Sequence, residues 1–339
     1  MRRYLPLIAL LLFISSCKTE INYRGEITEP LLVVFAEATT NGFLNVKVSE
    51  SAFFLQKVNM PDTNIIAEQR YRIKDAEVMY SVNDGEQYPL IYTEVGYVTG
   101  KGYVYGYIPD YKTAPRLATG DKVTVYVSHP RFASTTASEY MPPKIDIDLT
   151  GLKTYEKITN KGDTVVEHHL TYHIPYVEDN SYVGRIIIQD DHLNQLPIMS
   201  NDLLFQELNY TIDSQNWREI IGSMFSFEED EAEDYRPYLD FRMSDIPKEG
   251  KDVVIVTRGQ RRIVNGKLEI TPKGLITDYY LYTANTYLYM QSMKKYEGSS
   301  TSLLGLEEKV QVYGNFSGNT IGCLTANYYY SYIVYFKEE

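Results

Sequence analysis

The sequence predicts a mainly β protein, with two tandem β-sandwich, immunoglobulin-like domains and one or two helices inserted in the second. Three observations carry that expectation. Short runs of alternating apolar and polar residues recur along the chain, separated by Gly, Asn, Asp and Pro. Tyrosine is in excess, at 32 residues against 12 Phe and one Trp, and Tyr suits strands that bury a ring while a hydroxyl stays wet. A proline pair, Pro142-Pro143, interrupts the pattern and strand-like alternation restarts at Ile145.

The first sixteen residues stand outside that pattern. Met1-Arg2-Arg3 is basic, Leu5 to Ile14 is apolar apart from Pro6, and Ser15-Ser16 lead to Cys17. Ten apolar residues are too few to cross a hydrocarbon core, which takes about 20 in a helix. A basic start, a short apolar centre and small residues describe a secretory signal peptide. Ile14-Ser15-Ser16-Cys17 resembles a bacterial lipobox, in which the cysteine thiol accepts lipid and becomes the first mature residue. A plain signal peptide with an incidental cysteine is the competing reading. Residues 1–16 are thus expected to be a lipoprotein signal peptide and Cys17 the lipidation site. Cys323 would then have no intrachain partner and is expected to be a small buried apolar residue. Residues 17–29, polar and aperiodic, read as a tether; its twelve residues from Lys18 to Glu29 reach at most about 40 Å.

The chain has 339 residues and a net charge of −12, which becomes −14 when Arg2 and Arg3 leave with the signal peptide. An acidic chain without a basic cluster argues against nucleic acid and against electrostatic attachment to anionic lipid. Attachment would rest on acyl chains.

From residue 30 the elements read in order. "LLVVFAEA" and "GFLNVKVSES" are strands, the second setting Leu44, Val46 and Val48 against Phe43, Asn45 and Lys47. "DAEVMYSVNDGEQYPLIY" reads as a hairpin around Asn83-Asp84-Gly85, residues that tolerate positive φ. "GYVTGKGYVYGYI" and "GDKVTVYVSHP" add strands and complete a first domain over 30–143. The second, over 144–339, has strands at "VVEHHLTYHIPY", "SYVGRIIIQD", "YLDFRMSDI" and "KDVVIVTRG", with "NGKLEIT" as a hairpin edge. "DSQNWREIIGSMFSF" reads as a short helix capped by Asp213 or Ser214. "TDYYLYTANTYLYMQSMKKYEG" reads as a helix of about 17 residues, capped by Asp278 and ended by Gly298. "KVQVYGNFSGNTIGCLTANYYYSYIVYF" reads as two strands around a glycine-rich turn.

Candidate chemistry is sparse. His169 and His173 share a strand face but stand about 13 Å apart at 3.3 Å per residue, too far to share one zinc, so the histidines of "EHHLTYH" are expected to be solvated. Glu228 to Asp234 is acidic but lacks EF-hand spacing, and a solvated loop is favoured over a calcium site. Gly314, Gly318 and Gly322 lack the Lys-Ser/Thr of a phosphate cradle. No nucleophile elbow or zinc-protease helix occurs, so catalytic residues, cofactors and metals are all expected to be none.

Taken together, the lipobox, "DAEVMYSVNDGEQYPL", "TGDKVTVYVS", the proline boundary, "YYLYTANTYLYMQSM" and "VQVYGNFSGNTIG" resemble an outer-membrane lipoprotein family, catalogued as domain of unknown function 4249, from about Cys17 to Phe336. The resemblance implies a lipid-anchored outer-membrane protein, on the cell-surface side in preference to the periplasmic face, that partners a TonB-dependent transporter and a nutrient ligand. It supplies no catalytic residues. The competing reading is a structural or adhesive envelope protein that binds a surface or matrix polymer; an exported hydrolase comes third.

Overall fold

The structure, a computed structural model, describes residues 29–51, 71–98, 102–158, 164–178, 181–205, 208, 235–264, 267–271, 273–299 and 312–335. The fold over them is mainly β, with two large sheets and one α-helix. Seven strands precede the proline pair: β1 (Leu32–Thr39), β2 (Leu44–Glu50), β3 (Glu77–Val82), β4 (Gln87–Val98), β5 (Gly102–Pro109), β6 (Lys122–His129) and β7 (Phe132–Tyr140). After it come β8 (Asp148–Ile158), β9 (Thr164–Ile174), β10 (Val183–Asp190), β11 (Ile198–Met199), β12 (Leu239–Arg242), β13 (Lys251–Val264), β14 (Lys267–Thr271) and β15 (Gly274–Tyr282). The helix α1 (Ala284–Ser299) and a last strand, β16 (Leu324–Tyr335), follow.

The larger sheet has eleven strands in the order β12-β10-β15-β16-β1-β2-β5-β4-β3-β6-β7. The smaller runs β11-β13-β9-β8, with β14 on the edge of β13. In β4 the partner changes along the strand: Gln87 to Pro89 pair with β3, and Leu90 onward pairs with β5. The β3–β4 turn has Asn83 and Asp84 at φ 53° and 56°, the left-handed region that Asn and Asp enter more readily than other side chains. Asn83 also accepts the Lys122 amide at 2.9 Å and donates to Asp121 at 2.8 Å, tying the turn to β6.

Two hydrophobic clusters fill the interior. The first takes alternate residues of β1 and β2 (Val34, Ala36, Leu44, Val46) and faces Val78, Tyr80, Val123 and Val125. The second gathers Ile145, Leu170, Tyr172, Ile186, Phe241 and Tyr279. Met141 belongs to the first and Ile145 to the second, so the change falls across Pro142-Pro143. β16 serves both. It runs parallel to β1 over Leu324–Asn327 and antiparallel to β15 over Asn327–Tyr335, and it sends Leu324 and Ala326 into the first cluster and Tyr328 into the second.

Two expectations need correction. The Tyr-rich segment is split: Asp278 to Tyr282 are strand, because each pairs across to Asn327–Ser331 of β16, and Asp278 accepts the Tyr329 hydroxyl at 2.9 Å instead of capping a helix. The cap is Thr283, whose Oγ1 accepts the Thr286 amide at 3.3 Å, and the helix runs one residue past Gly298. Of the two strands expected at the chain's end, the second is β16, and the first falls mostly on residues 309–311, outside the described residues; residues 321–323 run beside β1, with Val34 donating to Ile321 O at 2.8 Å and Ala36 to Cys323 O at 3.0 Å. Gly322, at φ 128°, allows that approach, since a Cβ there would sit 1.8 Å from Val34 O. The expected helix around Trp217 lies outside the described residues, as do Cys17 and residues 18–28 of the tether.

Candidate functional site

The helix α1 lies where the two halves of the chain meet, and its fastening explains what surrounds it. Thr286 Oγ1 accepts from Ala326 N at 2.9 Å and donates to Ala326 O at 3.2 Å, pinning the first turn to β16. Asn285 Nδ2 donates at 2.8 Å to Glu139, a buried carboxyl of β7 whose pKa is raised by burial. Asn285 Oδ1 accepts the Tyr313 hydroxyl at 2.6 Å. Farther along, Tyr289 packs on Phe35 of β1, ring centroids 5.9 Å apart.

Under the helix, β10, β12 and β15 present a cluster of cations and tyrosines. Arg185 donates to both Asp240 oxygens, at 2.6 and 2.9 Å, and both residues are buried. Its guanidinium stacks 3.7 Å from the Tyr238 ring centre, and Lys294 of α1 lies 4.6 Å from the same ring and bonds the Tyr238 hydroxyl. Burial, then Arg185, pull the Lys294 ammonium down to about 8. Burial pushes the hydroxyls of Tyr280 and Tyr287 up to about 12 and raises that of Tyr282. Tyr280 and Tyr282 stack at 5.7 Å, and Tyr280 meets Tyr329 at 4.9 Å. Such tyrosines stay protonated at neutral pH. They serve as hydrogen-bond donors and stacking surfaces, not as bases, so the arrangement is suited to binding.

The residues singled out in the sequence do not assemble into one site. His168 is buried, against the expectation of solvation, with Nδ1 3.1 Å from Thr154 Oγ1; burial lowers its pKa to about 4. It lies on the core face of β9, opposite the face of its neighbours. His169 and His173 are part-exposed and face separate acids, Glu167 at 3.6 Å and Asp252 at 2.7 Å. Glu167 also holds the buried Arg258 at 3.0 Å. Cys323 is buried and burial pushes its thiol up to about 12. The acidic run Glu228–Asp234 lies outside the described residues, and Cys17 likewise. Sequence reading passed over Asp190, Asp191 and His192, whose ligand atoms lie within 4.8 Å of one another. Asp190 accepts from His192 N, Asn194 N and Asn194 Nδ2 at 2.7 to 2.9 Å, so its carboxylate closes a turn. The Arg185–Asp240 pair spans 55 residues, and no local signal could have joined its members.

No family model matches the chain, and no curated protein is similar to it in sequence. No helix among the described residues is long and apolar enough to cross a membrane.

Proposed function

We propose that this chain is a non-enzymatic, lipid-anchored outer-membrane protein that acts as the accessory, substrate-capturing partner of a TonB-dependent transporter. The observation that carries the reading is the N-terminal run Leu5–Ile14 followed by Ser15-Ser16-Cys17, ahead of a β-rich body. The resemblance to the domain of unknown function 4249 family belongs to this proposal and rests on the motifs quoted for it. Two hydrophobic clusters dividing at Pro142-Pro143 support two immunoglobulin-like sandwiches as the finer reading of the fold, while the eleven-stranded sheet that joins both halves counts against fully separate ones. The tyrosine cluster around α1 supports binding, since neutral phenols and stacked rings recognise polar, ring-bearing molecules. Pull-down from detergent-solubilised membranes should recover a large β-barrel. Recovery of no barrel across several detergents and growth conditions overturns the partnership.

Exposed rings at Tyr140, Tyr155 and Tyr335 favour one alternative, an adhesive protein that binds a surface or matrix polymer. Loss of whole-cell attachment on deletion, with no barrel recovered, would select it.

A further inference from the structure

A second set of aromatic and cationic groups lies where the larger sheet opens, and shares only Phe35 with the surroundings of α1 described above. β2 and β5 are neighbours, yet they pair at a single position, Val46 with Tyr107. Beyond it the strands part, and residues 71–73 take over as the partner of β2: Glu50 N donates to Tyr71 O and Ile73 N to Val48 O, each at 2.9 Å. The parting leaves a cavity of about 160 Å³, lined by Phe35, Lys47, Arg72, Tyr92, Tyr105 and Gly106 among others. Drug-sized pockets run to roughly 300–1,000 Å³, so this one has room for a single small ring.

The lining is chemically specific. Tyr92 and Tyr105 stack within 13° of parallel, centroids 6.0 Å apart. Arg72 lies 5.6 Å over the Tyr105 ring and donates to the Tyr92 hydroxyl at 3.5 Å, which holds the guanidinium at the cavity. Lys47 adds a second, exposed cation. Among the described residues, no Asp or Glu lines the cavity and neither cation has a carboxylate partner. Beside them, Asn45 is 8 % exposed and its Oδ1 has no hydrogen-bond partner among the described residues. That oxygen lies against Gly106, where a Cβ would come within 1.9 Å of it and displace the Asn45 side chain. A buried acceptor left open costs stability unless a donor arrives.

We propose that this cavity binds one six-membered ring bearing a carboxylate, with the ring face on the tyrosine pair and the carboxylate between Lys47 and Arg72. A guanidinium beside a stacked aromatic pair suits a flat ring with an acid group, because it matches a carboxylate with two parallel N–H bonds. A sugar acid and an aromatic acid share that chemistry. The inference concerns this cavity alone and does not rest on the transporter partnership.

Calorimetric titration of the full chain in detergent, at low salt, tests it with glucuronate, 4-hydroxybenzoate and neutral glucose. One or both acids should bind saturably at one site, with glucose at least tenfold weaker. Arg72→Leu and Lys47→Gln should each weaken the acid about tenfold while the unfolding temperature holds. Binding of glucuronate alone supports the cavity as a sugar-acid site, and of 4-hydroxybenzoate alone as an aromatic-acid site. Saturation by neither acid, glucose binding as tightly as the acids, or full affinity in Lys47→Gln overturns the proposal. Lys47 is exposed, so its variant keeps the test open if Arg72→Leu fails to fold.

Discussion

The two halves of the chain share one sheet but bury different chemistry. The first core is mostly aliphatic: Val34, Ala36, Ala38, Val46, Val123, Val125 and Ala137 belong to it, and Tyr80, Tyr107 and Phe316 are its large rings, with the Tyr80 hydroxyl donated to Pro115 O at 2.6 Å and that of Tyr107 to Ile73 O at 3.1 Å. The second is large and aromatic, with Tyr172, Phe205, Phe241 and Tyr279, and the same half buries His168, Arg185, Asp240 and Arg258. Small β-branched residues let facing strands approach with little polar chemistry to satisfy. Large rings leave gaps that polar groups must fill and hydrogen-bond, as Tyr172 does through Thr277 at 2.8 Å. Both halves bury titratable groups, His129 and Glu139 in the first and His168, Arg185, Asp240 and Arg258 in the second, but the fully buried ion pair, Arg185 with Asp240, lies in the second.

Targeted changes in each half test this contrast. The largest effect should come from removing residues 324–339, because β16 completes both cores. Calorimetry should then show no cooperative transition from either half, whereas a surviving transition from the first would mean that β1 holds its core without β16. Next comes Asp240→Ala, which strands the buried Arg185 guanidinium and should cost about 3–5 kcal/mol by chemical denaturation. Its counterpart in the first core, Val125→Ala, loses only methyl burial and should cost roughly 2 kcal/mol. Equal losses would erase the distinction.

The third change concerns His168, held to about 4 by burial against an ordinary value of 6.5. Between those pH values the unfolded chain binds the proton and the folded chain does not. Its contribution is therefore complete above pH 6.5 and is lost as pH falls toward 4, by on the order of 2–3 kcal/mol. Denaturant titrations across that range should show a slope in the wild type that His168→Gln reduces. The smallest effect belongs to the first half. Asn83→Ala keeps a positive φ while losing both side-chain bonds to β6, and should cost about 1 kcal/mol.

The same contrast governs how much could be read from residues alone. In the first half, period-2 alternation in "LNVKVS" and the Asn83-Asp84-Gly85 turn correspond to β2 and the β3–β4 hairpin, because each strand there has one buried and one wetter face. In the second, Tyr279 to Tyr282 satisfied helical spacing as well as strand alternation. Cross-strand pairing with Tyr328, Tyr329 and Tyr330 decided in favour of the strand, and a single sequence does not carry that pairing. The true helix start had a local signal in Thr283 and Thr286, which the acidic Asp278 outweighed. The cavity between β2 and β5 had none: Phe35, Arg72 and Tyr105 converge only because two strands part after one pair.

Both halves would hang from a single N-terminal attachment, and lipidation of Cys17 is the claim on which location and partnership depend. One acyl chain holds a protein only marginally, so durable attachment takes several chains, and a mature charge of −14 offers no basic patch to substitute. The direct measurement is incorporation of radioactive palmitate by the wild type and by Cys17→Ser. The wild type should label and sediment with membranes; Cys17→Ser should remain unlabelled, with processing stalled or the cleaved protein in the soluble fraction. A wild-type protein that never incorporates palmitate would contradict the lipid anchor, and with it the outer-membrane location and the transporter partnership.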